Sequence, residues 1–438
     1  MALRLKILAS KGRLGLFDAY RELDEAARFI KGAVDRGITL PKLSIAQPRL
    51  EECFEEGGPE ALADGPILES LAPTQAMYKV GLDGGSRRVG CDYALEVIAT
   101  VAVCARGFYP LVDYPPAPLD YPVSVAQTFE WIGLLPHFDV EADAAPNPNV
   151  KLFEKDCYAE QVYEELRLGL ETRVLDGVVP SIIDSSLDMG ESPLIILDGP
   201  IYGVPARGFF KRAEGDGAGR LKRYGKWYEG HVKERIEIIE RYLRRGVPVV
   251  SVVKRLGKSW YLKRFPAIKD FLRRRGLDPG VFANDGALVH ELFRLGLSEG
   301  LLPAVCVSTA PMKVDLSYVV KDPAGGFMKD FRELGCLLER NPKVFVYAGV
   351  LAHPLSSDYV QTFRIETLES VYNKYGGAVF KEVMGDAALQ GSPLPISIVS
   401  SDARCREWGE ILFKYSVEGF MKHHLPLDYE TRVGLMSQ

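Results

Sequence analysis

The segment Leu194–Pro200 (LIILDGP) and the earlier segment Tyr78–Arg87 (YKVGLDGGSR) share one pattern, an apolar run that ends in Asp-Gly. A short apolar run bounded by Gly or Pro predicts a buried strand. An Asp at the end of such a strand places a carboxylate at the sheet edge, where α/β folds bind ligands. The following Gly has no Cβ, so a phosphate or a metal ion can approach closely. The two segments therefore predict an α/β fold with a functional edge.

The two aspartates of this pattern are Asp83 and Asp198, which are far apart in the chain. If their strands are neighbours, the carboxylates lie side by side and can bind two divalent metal ions about 3.5–4 Å apart. That arrangement is typical of enzymes that cut phosphodiesters. The alternative is that each Asp hydrogen-bonds only its own turn, which is common for Asp-Gly.

Composition bounds the class of protein. The 438 residues are 47% apolar and 26% charged, which is ordinary for a globular chain of one large or several smaller domains. No apolar stretch is long enough to span a bilayer, and charged residues interrupt the N-terminus, so neither membrane insertion nor a signal peptide is expected. The seven cysteines include no C-x-x-C pair. This predicts a cytoplasmic protein without a zinc site or disulfide framework.

Charge is distributed very unevenly along the chain. The net charge is −5, yet residues 207–275 hold 21 Lys and Arg against 7 Asp and Glu. A basic block inside an acidic chain predicts binding to a polyanion such as a nucleic acid. The alternative is a solvated helical surface. The candidate nucleic-acid contacts, in this block and elsewhere, are Arg87, Lys222, Arg223, Lys258, Trp260 and Arg364.

The order of elements after Asp198 predicts a βαβ unit. A helical pattern that ends at Gly246 is followed at once by the strand Val247–Lys254, which is expected to run parallel to the strand of Asp198. Lys254 would then stand at the same sheet edge, where it can stabilise charge in a transition state. The alternative is a Lys that closes a strand at the surface. A second helix, Phe153–Val174, carries Glu160, Glu164, Glu165 and Glu171, any one of which could complete a metal site or be a solvated charge.

Three other patterns carry predictions. Tyr78–Asp83 and Tyr93–Arg106 are expected to form a hairpin that turns at Gly84–Ser86. Period-2 alternation places Arg364 and Glu366 on one face of a strand, either as a cross-strand charge pair or with Arg364 on a phosphate. A last helix is expected from about Ser401 to His424, with Asp402 at its start as a helix cap or as a fourth metal ligand.

Taken together in this order, these motifs resemble the NurA family of archaeal and bacterial nucleases over roughly residues 76–420. The residues that carry the resemblance are Leu82–Ser86, Arg167-x-x-x-Glu171, Ile196–Gly199, Val249–Lys254, Phe363–Glu366 and the proline-containing segment before the last helix. The resemblance implies an RNase H-like mixed sheet flanked by helices. It divides the chain into a helical region 1–75, a nuclease domain 76–424 with a basic helical insertion around 207–300, and a tail 425–438.

The resemblance also implies a site. Asp83, Glu171 and Asp198 correspond to the family's manganese ligands, with magnesium as the alternative ion, and Glu164 and Glu165 share the helix of Glu171. Ser392-Pro393 stands where the family often has Tyr-Pro, and no His occurs between His353 and His423. Asp402 is therefore the candidate fourth residue.

The family resemblance further implies a homodimer that works beneath a hexameric HerA-type helicase or translocase. Its role would be DNA end resection in double-strand break repair and homologous recombination.

Three hypotheses for function follow. The first is a metal-dependent deoxyribonuclease, a 5'–3' exonuclease and single-strand endonuclease, which needs no protein nucleophile because metal-activated water attacks. The second is an actin-like or sugar-kinase-like phosphotransferase, because the sequence of Leu82–Ser86 is similar to the phosphate-binding loop of that class. The third is a non-catalytic DNA clamp or helicase partner in which the acidic residues are structural. Manganese-dependent cleavage would separate the first hypothesis from the other two.

Overall fold

A computed structural model describes most of the chain from residue 60 to residue 436. The described ranges are 60–61, 68–70, 72–92, 96–106, 125–134, 159–205, 207–215, 219–259, 261–299, 306–322, 324–351, 360–388 and 394–436, with separate helical positions between 20 and 35. His353 and Ser392-Pro393 lie outside these residues.

The described residues form one sheet of eleven strands. In chain order these are β1 (Glu60–Ala61), β2 (Leu68–Ser70), β3 (Tyr78–Gly90), β4 (Glu96–Arg106), β5 (Val125–Leu134), β6 (Pro193–Asp198), β7 (Val249–Val253), β8 (Cys306–Thr309), β9 (Met312–Val314), β10 (Lys343–Leu351) and β11 (Val360–Leu368). The order across the sheet is β1-β9-β10-β11-β7-β6-β3-β4-β5, with β8 pairing to β10 and β2 pairing to β8.

The centre of the sheet mixes two kinds of pairing. Strands β3, β4 and β5 form an antiparallel meander, whereas β6 pairs parallel to β3 and β7 pairs parallel to β6. Strand β11 then runs antiparallel to β7. Leu194–Leu197 is completely buried because both faces of the sheet are covered, which explains its unbroken apolar run. The predicted α/β fold with a mixed sheet flanked by helices is confirmed.

Helices cover both faces of this sheet. They are α1 (Ala159–Gly177), α2 (Val179–Asp188), α3 (Arg207–Ala213), α4 (Gly219–Arg244), α5 (Pro266–Arg273), α6 (Asp285–Ser298), α7 (Arg332–Arg340), α8 (Glu369–Tyr375), α9 (Ala378–Ala388), α10 (Ile396–Lys422) and α11 (Tyr429–Met436). Helix α4 connects β6 to β7, as the predicted βαβ unit requires. The longest helix of the predicted basic insertion is therefore the crossover connection of the central sheet.

Side chains alternate between the two faces along each strand, so the sheet has one apolar layer on each face. Leu82 and Leu197 belong to the layer that includes residues of α1 and α4, whereas Ile196 and Val252 belong to the layer that includes residues of α9 and α10. Because successive side chains of a strand point to opposite faces, Asp83, Asp198 and Lys254 are directed to the second face. This face is called the α10 face below.

The predicted turn at Gly84–Ser86 is wrong. Strand β3 continues through these residues to Gly90 and pairs with β4 along its whole length from Val80. The glycine serves a different purpose, because a Cβ on Gly84 would lie 2.6 Å from both Arg167 Cγ and Glu171 Oε1 of α1. A glycine inside a strand here permits close approach of a helix rather than a change of chain direction.

The two ends of the chain differ in part from the sequence prediction. Leu23 and Ala27 are buried helical residues, in agreement with the helical region predicted at the N-terminus. The region 1–75 also supplies β1 and β2, so its prediction as helical was incomplete. The C-terminal residues include α11, whose Thr431 Oγ1 accepts a hydrogen bond of 3.0 Å from the Gly90 backbone N–H. No helix in the described ranges has the length and apolar character needed to cross a membrane.

Candidate metal centre

Three carboxylates from distant parts of the chain meet on the α10 face. Asp83 of β3, Asp198 of β6 and Asp402 of α10 each offer an oxygen atom, and these atoms lie within 4.8 Å of one another. We call these three residues the acidic cluster. Among the described residues, these three form a group whose side chains could together hold a metal ion. Oxygen donors of this kind suit hard divalent cations such as magnesium and manganese.

The strand register explains why the two strand aspartates meet. Leu82 is paired with Leu197 in the parallel ladder of β3 and β6, so the next residue of each strand is an aspartate. Helix α10 can lie close above them because residue 81 is a glycine. A Cβ on Gly81 would lie 2.4 Å from the backbone oxygen of Ser397.

Asp83 is the most enclosed member of the acidic cluster, with 2% of its surface exposed. Burial raises the pKa of its carboxyl well above the usual range, and the negative charge of Asp198 raises it further. One oxygen, Oδ1, accepts a hydrogen bond of 2.8 Å from the backbone N–H of Gly84. This bond joins neighbouring residues of a continuous strand, and Asp83 also meets Asp198 and Asp402, so the alternative prediction that Asp83 hydrogen-bonds only its own turn is wrong. A bound cation would favour ionisation of this carboxyl.

Lys254 supplies a positive charge to the acidic cluster. Its Nζ lies 2.8 Å from Asp198 Oδ2 and 3.3 Å from Asp402 Oδ1. Burial alone would lower the pKa of this amine, but the charges of Asp198 and Asp83 outweigh burial and raise it. Lys254 therefore stays an ammonium ion at the sheet edge where the βαβ pattern predicted it.

Asp402 lies inside α10 rather than at its start. The helix begins at Ile396, so the predicted helix-capping role for Asp402 is wrong. The capping contact comes from Asp386 of α9, whose Oδ2 accepts hydrogen bonds from the backbone N–H and the hydroxyl of Ser397. Both oxygens of Asp402 have cationic neighbours, because Lys254 contacts Oδ1 and Arg406 Nη2 lies 2.7 Å from Oδ2.

Glu171 lies near this site but outside the acidic cluster. It faces Gly84 from α1, on the opposite side of β3 from the side chain of Asp83. Its carboxylate oxygens are 3.6 Å from Arg167 Nε and 3.5 Å from Arg235 Nη2. Burial raises the pKa of Glu171, and the two arginines act against that increase. The side chains of Glu164 and Glu165 lie outside the described residues.

The predicted nucleic-acid contacts occupy different environments. Arg87 is an exposed residue of β3, four positions after Asp83. Lys222 of α4 forms an ion pair with Asp330 Oδ1 at 2.7 Å. Nothing is described for the side chains of Arg223, Lys258 and Trp260.

Arg364 is enclosed on the face opposite the acidic cluster. It is 6% exposed, and its guanidinium donates hydrogen bonds of 2.8 Å to Glu366 Oε1 and 2.5 Å to Ser259 Oγ. Glu366 also forms an ion pair with Lys343 of the neighbouring strand β10, which lies diagonally across the ladder with its Nζ 3.1 Å from Oε2. The structure thus shows the charge pair that was the alternative prediction. Phosphate contact by Arg364 would require this network to open.

Two neighbours of the site were not predicted from the sequence. Arg235 of α4 is fully buried beside Glu171. It stands three residues after Val232 on the apolar stripe of this helix, so helical periodicity could have marked it as a charged residue on a buried face. Arg406 stands four residues after Asp402, so the i, i+4 spacing of opposite charges on a helix could have indicated the pair.

Two comparisons with known proteins bear on this geometry. A family model described as the NurA domain matches residues 80–404. The match includes the three aspartates of the acidic cluster together with Glu171 and Lys254. No curated protein matches the chain.

Proposed function

The chain belongs to the NurA family of nucleases, and from this premise we propose that it is a metal-dependent deoxyribonuclease. The observation that carries the proposal is the convergence of Asp83, Asp198 and Asp402 within 4.8 Å. The three carboxylates outnumber the two cations that contact them, Lys254 and Arg406, and the remaining negative charge is one that a divalent cation can balance. Burial raises the pKa of Asp83, and the negative charge of Asp198 raises it further, since neighbouring carboxylates resist simultaneous ionisation.

The residues present fit a manganese or magnesium ion. Asp83, Asp198 and Asp402 supply only oxygen donors, which is the donor set that these ions prefer. The family resemblance assigns Glu171 as a ligand, whereas in the structure Asp402 is the residue that lies with Asp83 and Asp198. A divalent ion bound here would act as a Lewis acid and lower the pKa of a coordinated water.

The protein's own groups would orient the reaction. Asp83 and Asp198 stand on rigid neighbouring strands, so the ligand positions are preorganised by the sheet. Lys254 keeps its charge and lies between two carboxylates, where it can stabilise negative charge that develops on a phosphate. No serine, cysteine or histidine nucleophile is required, because attack by water suffices.

The finer features of the proposal follow the family. The activity would be a 5'–3' exonuclease and a single-strand endonuclease. The strand order β5-β4-β3-β6-β7, antiparallel and then parallel, supports the RNase H-like core that the resemblance implies. The basic block 207–275 supports a DNA substrate, whose binding should weaken steeply with salt because phosphate contacts release counterions.

The proposed partners are a second copy of the chain and a hexameric HerA-type helicase or translocase. The setting would be end resection during double-strand break repair and homologous recombination in the cytoplasm. Exposed apolar side chains on α11, namely Tyr429, Val433 and Met436, support a protein contact at the C-terminal end. Sedimentation of the purified chain alone and with such a translocase tests both assemblies.

The deciding experiment compares the wild-type protein with Asp198→Ala on end-labelled DNA, with manganese, with magnesium and with EDTA. We expect cleavage by the wild type with a divalent cation and none by the variant. Manganese should also raise the unfolding temperature of the wild type more than that of the variant, because the ion binds the folded state. Labels at the 5' and 3' ends, on single- and double-stranded substrates, give polarity and strand preference.

Other outcomes would favour the remaining hypotheses. DNA binding without cleavage in any metal would favour the non-catalytic clamp or helicase partner. Binding of ATP without nuclease activity would favour the actin-like or sugar-kinase-like phosphotransferase. Either result would overturn the nuclease proposal.

A further inference from the structure

Arg406 stands one turn of α10 beyond Asp402, at the open side of the acidic cluster. Its Nη2 contacts Asp402 Oδ2 at 2.7 Å, yet 67% of the side-chain surface remains exposed. Asp402 itself is 27% exposed, so the pair lies at the boundary between the site and solvent. A guanidinium that touches the cluster and faces solvent is well placed to meet an incoming phosphate, which it can bind in bidentate geometry.

Helix α10 and strand β3 run beside each other beyond the acidic cluster. The thiol of Cys405 donates a hydrogen bond of 3.2 Å to the backbone oxygen of Asp83. Further along, a Cβ on Gly409 would lie 3.3 Å from Arg87 Cγ. Arg87 therefore lies against α10 at the turn after Arg406. The two arginines extend from the cluster in the same direction, and we call them the arginine track.

Charge and spacing along this track match a polynucleotide strand. Arg87 is exposed, and no ion pair is found for it with another described residue. Four residues of a strand span about 13 Å, which separates Arg87 from Asp83. One helical turn, about 6 Å, separates Arg406 from Asp402. A nucleic-acid strand that rises about 3.4 Å per nucleotide would place several phosphates over this length.

We propose that Arg406 and Arg87 bind phosphates that flank the one to be cleaved, so that the arginine track sets the path of the DNA strand out of the metal centre. The inference rests on the proposed nuclease function and adds the direction of the bound strand. Without DNA, Asp402 holds the Arg406 side chain at the entrance. When DNA binds, a phosphate replaces Asp402 as the partner of the Arg406 guanidinium.

The test measures binding rather than cleavage. A fluorescently labelled single-stranded oligonucleotide is titrated with the full chain in EDTA, so that the probe is not consumed, at several salt concentrations. The variants are Arg406→Gln, Arg87→Gln and both together. The matched control is Arg404→Gln on the same helix, because Arg404 forms its own ion pair with Glu407 at 2.6 Å and lies about half a turn away.

We expect each single track variant to bind about 3- to 10-fold more weakly at low salt, because one phosphate contact is lost. The slope of log K against log salt should become shallower by about 0.7 for each lost contact, which is the value for single strands. The double variant should lose about twice that slope. Arg404→Gln should leave both quantities unchanged, and Arg406→Lys should retain most of the slope because it keeps the charge.

A purely structural role for Arg406 would give a different result. If the arginine only positioned Asp402, Arg406→Gln would weaken manganese binding in calorimetry and leave the salt slope of DNA binding unchanged. That outcome would overturn the inference while the nuclease proposal stands. Failure of the wild-type protein to bind DNA under any salt condition would overturn both.

Discussion

Two groups of charged residues lie on opposite faces of the same sheet, and they differ in how their charge is balanced. The acidic cluster has three carboxylates around Lys254 at the end of β6. The second group, which we call the closed network, joins Glu366 to Arg364 and Lys343 beneath α6. Both groups are largely buried. The acidic cluster has an excess of negative charge, which a divalent cation would neutralise, whereas the closed network has two cations for its one carboxylate.

The pKa shifts show the same contrast. Burial raises the pKa of Asp83, and its acidic neighbours raise it further. Burial also acts to raise the pKa of Glu366, but Lys343, Arg364 and the backbone N–H of Ile201 outweigh burial and lower that pKa to about 2. The sign of the shift distinguishes a site that can accept a cation from a network that is already complete.

The largest expected effect comes from removing one charge of the acidic cluster. Asp83→Asn keeps the shape of the side chain and can still accept the hydrogen bond from Gly84. We expect DNA cleavage with manganese to fall by about 10³-fold or more, because an essential ligand is lost. Thermal unfolding should be unchanged or shift upward, because repulsion with Asp198 is relieved. Full cleavage by this variant would show that the acidic cluster is not the metal centre.

The converse substitution breaks the closed network. Glu366→Gln leaves Lys343 and Arg364 buried without their counter-charge, which should lower the free energy of unfolding by about 3–5 kcal/mol. Denaturant titration measures this loss. Asp402→Asn is the control, because its partners Lys254 and Arg406 retain contact with other groups or with solvent. Equal destabilisation by both variants would remove the distinction between the two groups.

Low pH should remove the stability that Glu366 contributes to the closed network. Glu366 has a pKa of about 2 in the folded protein, against 4.5 for an unperturbed glutamate. Its contribution is therefore present above pH 4.5 and is lost as pH falls from 4.5 through about 2. The shift corresponds to about 3 kcal/mol. Denaturation of wild type and Glu366→Gln across this range should give curves that converge towards low pH. Curves that stay parallel would contradict the assigned pKa.

The smallest expected effect concerns the packing of α1 against β3. Gly84→Ala would place a Cβ 2.6 Å from Glu171 Oε1 and from Arg167 Cγ. Displacement of those side chains should cost about 1–3 kcal/mol of stability. Gly177→Ala is the matched control, because no atom lies within 4 Å of the added Cβ. A neutral Gly84→Ala would mean that α1 can move away from β3 without penalty.

Local patterns were sufficient to predict several parts of the fold. The apolar runs before Asp83 and Asp198 indicated two buried strands, and the helix before Val247 indicated a parallel crossover. Together they predicted that Lys254 shares an edge with Asp198. These predictions succeed because burial on both faces of a parallel sheet requires continuous apolar runs, which are visible in a single sequence.

Other features depended on contacts between remote segments. Gly84 was assigned to a turn because glycine is usually a turn residue, whereas the contact that requires glycine comes from α1, more than eighty residues later. The start of α10 was placed too late because Asp386, on a different helix, supplies its cap. Arg364 could have met a phosphate or a neighbouring carboxylate, and period-2 alternation alone does not choose between them.

By itself the sequence determined the α/β class, the two buried apolar runs that lead into Asp83 and Asp198 and the family motifs, because these depend on residue periodicity and local chemistry. Only the tertiary structure decided that Asp402 joins Asp83 and Asp198 while Glu171 lies across the strand against Arg235. The physical reason is that charge balance in a buried site depends on which side chains meet from distant segments. The spacing of residues along the chain does not show which of these side chains meet in the folded protein.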